Sequence, residues 1–225
     1  MRLSAIIPTW QEEARIGEAV AAARSVADEV VVSDGGSSDL TAAIAASVGA
    51  RVVREARGRG QQLAAGAAHA SGDVLLFLHA DTFLPAEARA AVEGALEDPR
   101  VGGGNFFVRF QPEESGAGRL FTWLYDLRRR ALGIYYGDSP MFVRREVYRR
   151  LGGFPSLPLF EDYVFIRRLE RSARTTYVRH VHAVTSGRRY ENRVLRTVGR
   201  WVLLQTLFSM GVSPARLARW YGDAR

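Results

Sequence analysis

The sequence predicts an α/β fold, a mostly parallel central sheet flanked by helices, and three observations lead there. Val74 to Leu78 form an unbroken apolar run of strand length, the pattern of a strand covered on both faces. Apolar strand patterns and helix-period patterns alternate through the first half, with connections long enough for right-handed crossovers. Each strand in that half also ends in a polar cluster: Thr9 with Glu12, Asp34 with Gly35, Arg57 with Arg59, and His79 with Asp81. Parallel strands would gather these clusters on one rim, where open α/β sheets bind ligands.

In order, Leu3–Ile7 reads as a strand that Pro8 forces to stay extended, and the loop Thr9, Trp10, Gln11, Glu12 follows. A helix carries Ile16, Val20 and Ala23 on one face; Glu29–Ser33 is the second strand, and another helix runs through Val48. Arg51–Arg54 is the third strand, Gln61–Ala70 an alanine-rich helix, and Val74–Leu78 the fourth strand. Pro85 suits the first turn of a helix reaching Leu96, because its missing N–H is no loss there. Gly102, Gly103 and Gly104 introduce a strand, Asn105–Phe110, whose alternating Phe and Arg predict one exposed face and an antiparallel place in the sheet. In the helix of residues 118–132, Leu120, Trp123, Leu124, Leu127 and Ala131 are spaced for one inward face. The basic, aromatic character of that helix also suits an acceptor groove or lipid headgroups. Residues 136–143 form a loop entering a strand, GGFP at 152–155 is a turn, and a helix opens at Phe160. Thr175–Val181 is the last strand, and two helices, 194–210 and one beginning near Ser213 and Pro214, close the chain.

The composition narrows the chemistry. At 225 residues and 47% apolar, the chain can bury a sizeable core. With no cysteine and no lysine, it has no disulfide, thiolate metal site, P-loop lysine or Schiff base. No basic and apolar leader opens it, and no stretch approaches the roughly 20 apolar residues of a membrane span; a cytoplasmic protein is expected. Residues 1–112 hold 10 arginines against 14 acids, whereas residues 113–225 hold 21 against 10. The basic second half points to an anionic partner, a phosphorylated acceptor or a membrane surface, unless it is simply a solvated face.

Two places carry the candidate chemistry. Asp81 either caps the next turn or offers a carboxylate to a divalent cation on a diphosphate, for which oxygen ligands are suited. Glu161 and Asp162 sit in a helix's first turn, which the macrodipole alone explains. Elsewhere Gly58 and Gly60 resemble a phosphate loop only weakly, His180 and His182 share a strand face, and Thr185–Arg189 forms a basic loop suited to clamping phosphates.

Three stretches in this order, Ile6 to Thr9 with Glu12 and Glu13, VVVSDGGSSDLT at 30–41, and HAD ending at Asp81, resemble the nucleotide-binding half of family 2 glycosyltransferases. The likeness extends over nearly the whole chain. It implies a GT-A domain over residues 1–225, with a nucleotide-sugar half at 1–112 and an acceptor half at 113–225. Thr9, Glu12 and Asp34 would hold base and ribose, with Pro8, Gly35, Arg57, Arg59, Gln62, His79, Ala80, Arg188 and Arg189 also around the donor, and Asp138 would contact donor sugar or acceptor. Asp81 matches the metal-binding end of the family's DxD motif, while His79 stands where its first aspartate is usual. Manganese or magnesium is the implied cofactor, with His182 as a further ligand. The acidic pair after the GGF turn supplies the base: Asp162, beside Glu161, would take the acceptor's proton in an inverting transfer.

The partners so implied are a UDP- or GDP-type sugar and an unidentified acceptor, not a nucleic acid; contact with the inner membrane face and a homodimer are further expectations. TSGRR and the closing SPARLARWY are similar to a small bacterial subgroup associated with arsenosugar biosynthesis. Two rival readings keep the same sheet: a nucleotidyltransferase, which would show a glycine-rich basic loop after the first strand, and a non-catalytic nucleotide-sugar or lipid-phosphate binding protein.

Overall fold

The computed structural model describes residues 1–111, 116–135, 137–186 and 194–221. The first half runs β1 (Leu3–Thr9), α1 (Ile16–Val26), β2 (Glu29–Asp34), α2 (Thr41–Ser47), β3 (Arg51–Arg54), α3 (Arg59–His69), β4 (Val74–Phe77), β5 (Thr82–Phe83) and α4 (Ala88–Ala95). Then come β6 (Val101–Gln111), α5 (Gly116–Leu132), β7 (Met141–Arg144), α6 (Arg145–Arg150), α7 (Glu161–Ser172), β8 (Arg174–Ser186), α8 (Val194–Ser209) and α9 (Pro214–Tyr221). One eight-stranded sheet of order β3-β2-β1-β4-β7-β6-β8-β5 runs through both halves. Only β7 and β5 oppose the common direction.

Strand alternation sorts the core into two layers. Leu3, Ala5 and Ile7 of β1 and Val74 and Leu76 of β4 face one cluster. Ile6, Leu75 and Phe77 face the other, with Phe154, Phe165 and Leu169. The unbroken apolar run of β4 is therefore that of a strand buried on both sides.

From α4 onward the structure departs from expectation at several points. β6 begins at Val101 and takes in the three glycines, because β7 and β8 leave no room for side chains: a Cβ on Gly103 would strike the Phe142 carbonyl, and one on Gly104 the Thr176 carbonyl. The face of Phe107 and Arg109 is half-buried and only Gln111 is exposed, since β6 lies between β7 and β8 and beneath α5. On α5 the expected inward stripe points outward: Leu120, Trp123 and Leu127 are exposed, while Phe121 and Tyr125 pack on Phe110 at ring distances of 4.5 and 5.5 Å. The pairing of β6 with β8 jumps from Val178 to His182, while from His180 onward buried and less buried residues alternate, with His180 and His182 both on the less buried face. α4 starts later than Pro85, which instead accepts the Ala88 N–H within a preceding turn. Among the described residues no helix is long and apolar enough to cross a membrane.

Candidate active site

The rim of the sheet opens into a cavity of about 480 Å³. Its sheet side is built from loops tied to one another. Gln11, in the left-handed region at φ 54°, turns the chain after β1 so that its N–H donates to Ser37 Oγ at 2.8 Å. The Glu12 N–H likewise donates to Thr41 Oγ1 at 2.8 Å. Asp34 anchors that second loop, accepting from the Ser37 N–H at 3.0 Å and the Ser37 hydroxyl at 2.5 Å. Gln62 then staples α3 across two strand ends, its amide donating to the carbonyls of Thr9 at 2.7 Å and Ser33 at 2.9 Å. Thr9 Oγ1 is buried in this wall with no hydrogen-bond partner among the described residues, an uncompensated polar group that a ligand could satisfy. Beside it, the Arg57 guanidinium lies 3.6 Å above the Trp10 ring.

Glu161 and Asp162 meet Arg59 at the cavity floor. Arg59 Nε donates to Glu161 Oε1 at 2.6 Å, and Nη2 to Asp162 Oδ2. The same Asp162 oxygen accepts the Gly137 N–H at 2.6 Å, and Oδ1 accepts the Tyr163 N–H at 2.7 Å. Burial alone would raise the Asp162 carboxyl, but the Arg59 charge and these N–H groups outweigh it and hold it below the ordinary carboxylate value. Burial is opposed likewise at Arg59, where the two carboxylates raise the guanidinium well above its usual value. Two glycines allow the approach: a Cβ on Gly60 would lie 3.0 Å from Glu161 Cγ, and one on Gly137 3.1 Å from Asp162 Oδ2. The GGF turn matters too, because Gly152 and Gly153 take φ of 76° and 65° on the way from α6 to the acids.

Asp81 lines the cavity after β4. Among the described residues its carboxylate touches only the Thr82 hydroxyl, at 3.4 Å, while its carbonyl accepts the Ser186 N–H at 3.2 Å, joining it to β8. His79, half-buried nearby, is pushed down by burial and then by Arg59, which favours the neutral imidazole. Asp138 completes the acidic side.

The far side comes from the C-terminal helices. Arg196, Thr197, Arg200, Trp201 and Leu204 line the cavity from one face of α8. Leu204, Leu217 and Phe160 form the core that docks α8 and α9, with Phe160 stacked on Phe208 at 4.6 Å. Phe160 precedes the acid pair directly and is itself left-handed, at φ 66°, a sparsely populated conformation for a bulky residue.

The structure thus brings Pro8, Thr9, Glu12, Arg57, Arg59, Gln62, His79, Asp81, Asp138, Glu161 and Asp162 to one cavity. Four expected residues do not line it. Asp34 is 1% exposed and engaged with Ser37; Gly35 donates its N–H to Thr9 O and abuts the Gln62 amide; and Ala80 packs into the core. His182 is not brought to Asp81: its ring packs edge-on against Phe107 at 5.2 Å. It stands three residues down β8 from Thr185, about 10 Å at strand rise. Among the described residues no three histidines, aspartates or glutamates converge to hold an ion. Arg188 and Arg189 lie outside the described residues. Sequence reasoning missed Gly137 and the α8 face. The α8 signal was present as the i, i+4 arginines 196 and 200 beside Trp201, on a helix read only for docking.

Comparison with known proteins follows this geometry. The family model described as glycosyl transferase family 2 matches residues 4–152. No curated protein sequence matches the chain. Among solved structures, the S. aureus TarS 1–349 complex with UDP-GlcNAc superposes with a TM-score of 0.67 at 19% identity, covering 83% of this chain and 58% of TarS 1–349. The Rubrobacter xylanophilus mannosyl-3-phosphoglycerate synthase gives 0.65 at 23% identity, covering 94% of this chain and 75% of the synthase. For the Mycobacterium tuberculosis glucosyl-3-phosphoglycerate synthase the values are 0.65 and 22%, covering 94% and 79%. The chain belongs to glycosyl transferase family 2 and has the GT-A fold of a glycosyltransferase.

Proposed function

We propose that this chain performs a metal-assisted, inverting transfer of a sugar from a UDP- or GDP-type donor to a hydroxyl of an acceptor held beneath α8. The observation that carries the reading is the convergence of Asp162 with Arg59, from a position 103 residues away, in the cavity that Asp81 also lines. A base must take the acceptor's proton as its oxygen attacks the anomeric carbon, and Asp162 is the carboxylate at hand. In the free protein both its oxygens are engaged. An arriving diphosphate offers Arg59 a stronger, doubly charged partner, since guanidinium binds phosphate oxygens in a fork. Arg59 then turns toward the leaving group, and the Asp162 carboxylate, relieved of its counter-ion, becomes a stronger base. Glu161 keeps the guanidinium within reach of both, and Thr9 Oγ1, Trp10 and Glu12 hold the nucleoside end.

The donor set suits a divalent ion of the kind that keeps several waters, binding through one carboxylate plus substrate phosphates. Asp81 would hold it, with neutral His79 alongside. Such an ion stabilises the charge gathering on the departing diphosphate. TarS is solved with UDP-GlcNAc, and the M. tuberculosis synthase with Mn2+, UDP and phosphoglyceric acid, which makes UDP and manganese the first pair to test.

A cytosolic setting belongs to this reading, with contact to an anionic membrane surface. Exposed Leu120, Trp123 and Leu127 on α5, and Val202, Leu203 and Trp220 on α8 and α9, lie among arginines and suit an interfacial surface. The narrower kinship with the arsenosugar-associated subgroup rests on SPARLARWY, which forms α9. Calorimetric titration of UDP with and without manganese tests the core of the proposal. Manganese should be required for tight binding, Asp81→Ala should abolish that requirement, and binding unchanged in Asp81→Ala would remove the metal role.

A further inference from the structure

The two sides of the cavity differ in charge in a way that donor binding does not use. Its carboxylates, Glu12, Asp81, Asp138, Glu161 and Asp162, come from strand ends and α7. The arginines among them are already engaged: Arg59 by the acid pair, and Arg57 by the Trp10 ring. Across the cavity α8 presents Arg196 and Arg200, and residues 194–221 contain no aspartate or glutamate to neutralise them. Arg196 makes no ion pair or hydrogen bond among the described residues. Arg200 is held in place: Nη2 donates to the carbonyls of Trp220, at 2.9 Å, and Tyr221, and the guanidinium lies 4.6 Å over the Tyr221 ring. One arginine is therefore anchored and its neighbour one helical turn away is available. Side chains at this spacing stand about 5–6 Å apart at Cβ, close enough to share one oxyanion.

From this arrangement we infer that Arg196 and Arg200 form an anion site for the acceptor, and that the acceptor is a hydroxyl compound bearing a phosphate monoester. Its phosphate sits on α8, and its hydroxyl faces Asp162 across the cavity. Trp201 and Tyr221 flank the site with aromatic surface, and Thr197 adds a hydroxyl donor. The inference rests on the transferase reading for the direction of the hydroxyl, but the anion site itself stands on the α8 geometry alone.

The test uses the full chain saturated with UDP and manganese, titrated calorimetrically with inorganic phosphate, glycerol 3-phosphate and glycerol, and by co-sedimentation with phosphatidic acid vesicles. Wild type should bind both phosphates and ignore glycerol. Arg196→Gln should weaken phosphate binding roughly tenfold, as the loss of charge-assisted hydrogen bonds predicts, with UDP affinity unchanged. Arg216→Gln, on α9 and away from the cavity lining, serves as the control and should match wild type. Vesicle binding that depends on Arg196 while glycerol 3-phosphate is ignored would keep the site and make the acceptor lipid-borne. Equal phosphate affinity in wild type and Arg196→Gln, or no phosphate binding at all, overturns the inference. So does an Arg196→Gln variant that loses UDP in step with phosphate, which would give the pair to the donor diphosphate. Should UDP fail to bind wild type, the donor reading falls while the phosphate titrations still decide the anion site.

Discussion

The two sides of the cavity are held by different physics. On the sheet side, polar atoms are fixed by short bonds across long sequence separations: Gln62 reaches the Thr9 and Ser33 carbonyls, and Arg59 reaches Glu161 and Asp162. Those carboxylates are only 2–4% exposed at the side chain, so each bond acts in a weakly screened setting. On the helical side, α8 and α9 rest on the core of Phe160, Leu204 and Leu217, on Val198 and Trp201 packed against the main core, and on the Arg200 bonds to chain carbonyls. A small apolar contact and solvent-facing bonds give little local stability. On the proposed reading, donor recognition belongs to the densely hydrogen-bonded side and acceptor recognition to the side with the lighter anchoring.

That contrast can be broken at several points. The largest effect belongs to Asp162→Asn, which should lower turnover by about 10²–10⁴ while UDP still binds, because it removes the proton acceptor and keeps the shape. Turnover measured with a sugar donor alongside UDP titration checks this, and a variant of normal turnover would give the base to another group. Next, Arg59→Gln leaves two buried carboxylates without their counter-ion and should cost about 3 kcal/mol in urea unfolding. Because Asp162 is held below the ordinary value, the wild-type lock contributes stability in full above about pH 4 and loses it as pH falls through the lowered value. The gap between Arg59→Gln and wild type should accordingly narrow below pH 4. On the helical side, Leu217→Ala empties a fully buried position and should cost about 2–3 kcal/mol locally. Hydrogen exchange should quicken in residues 194–221 and not in β1 or β4; uniform quickening would mean that the two sides open together. The smallest effect concerns pH and rate: if the diphosphate draws Arg59 off Asp162, the acid limb of kcat should lie above that of kcat/KM. Coincident limbs would show that the ion pair persists through the reaction.

The sheet side was also the more legible in the sequence. β1 to β4 announce themselves as short apolar runs ending in polar loops, and the helices between them carry a 3.6-residue period. β5, with two residues, is too short to leave a periodic trace, and the glycines of β6 imitate a turn because the pressure that requires them comes from β7 and β8, distant in the chain. The α5 stripe misled for a related reason: Leu120, Trp123 and Leu127 have helical spacing, but Phe121 and Tyr125 offer a competing face, and Phe110 selects it. At the site, Asp81 and the acid pair were visible as motifs. Their pairing with Arg59 was not, since no local spacing encodes an ion pair spanning more than a hundred residues. His182 packs against Phe107, a contact across strands that the spacing along one strand does not encode.

Phe160 gives this division a further meaning. Its ring belongs to the apolar seat of α8, and the next peptide carries the proton acceptor and its neighbour. Lifting the terminal helices would therefore pull on Glu161 and Asp162 through a backbone held in a left-handed twist. On the proposed reading the cap and the chemistry are joined as by an interlock, so that a gaping acceptor side would leave the enzyme out of gear and the activated sugar unspent.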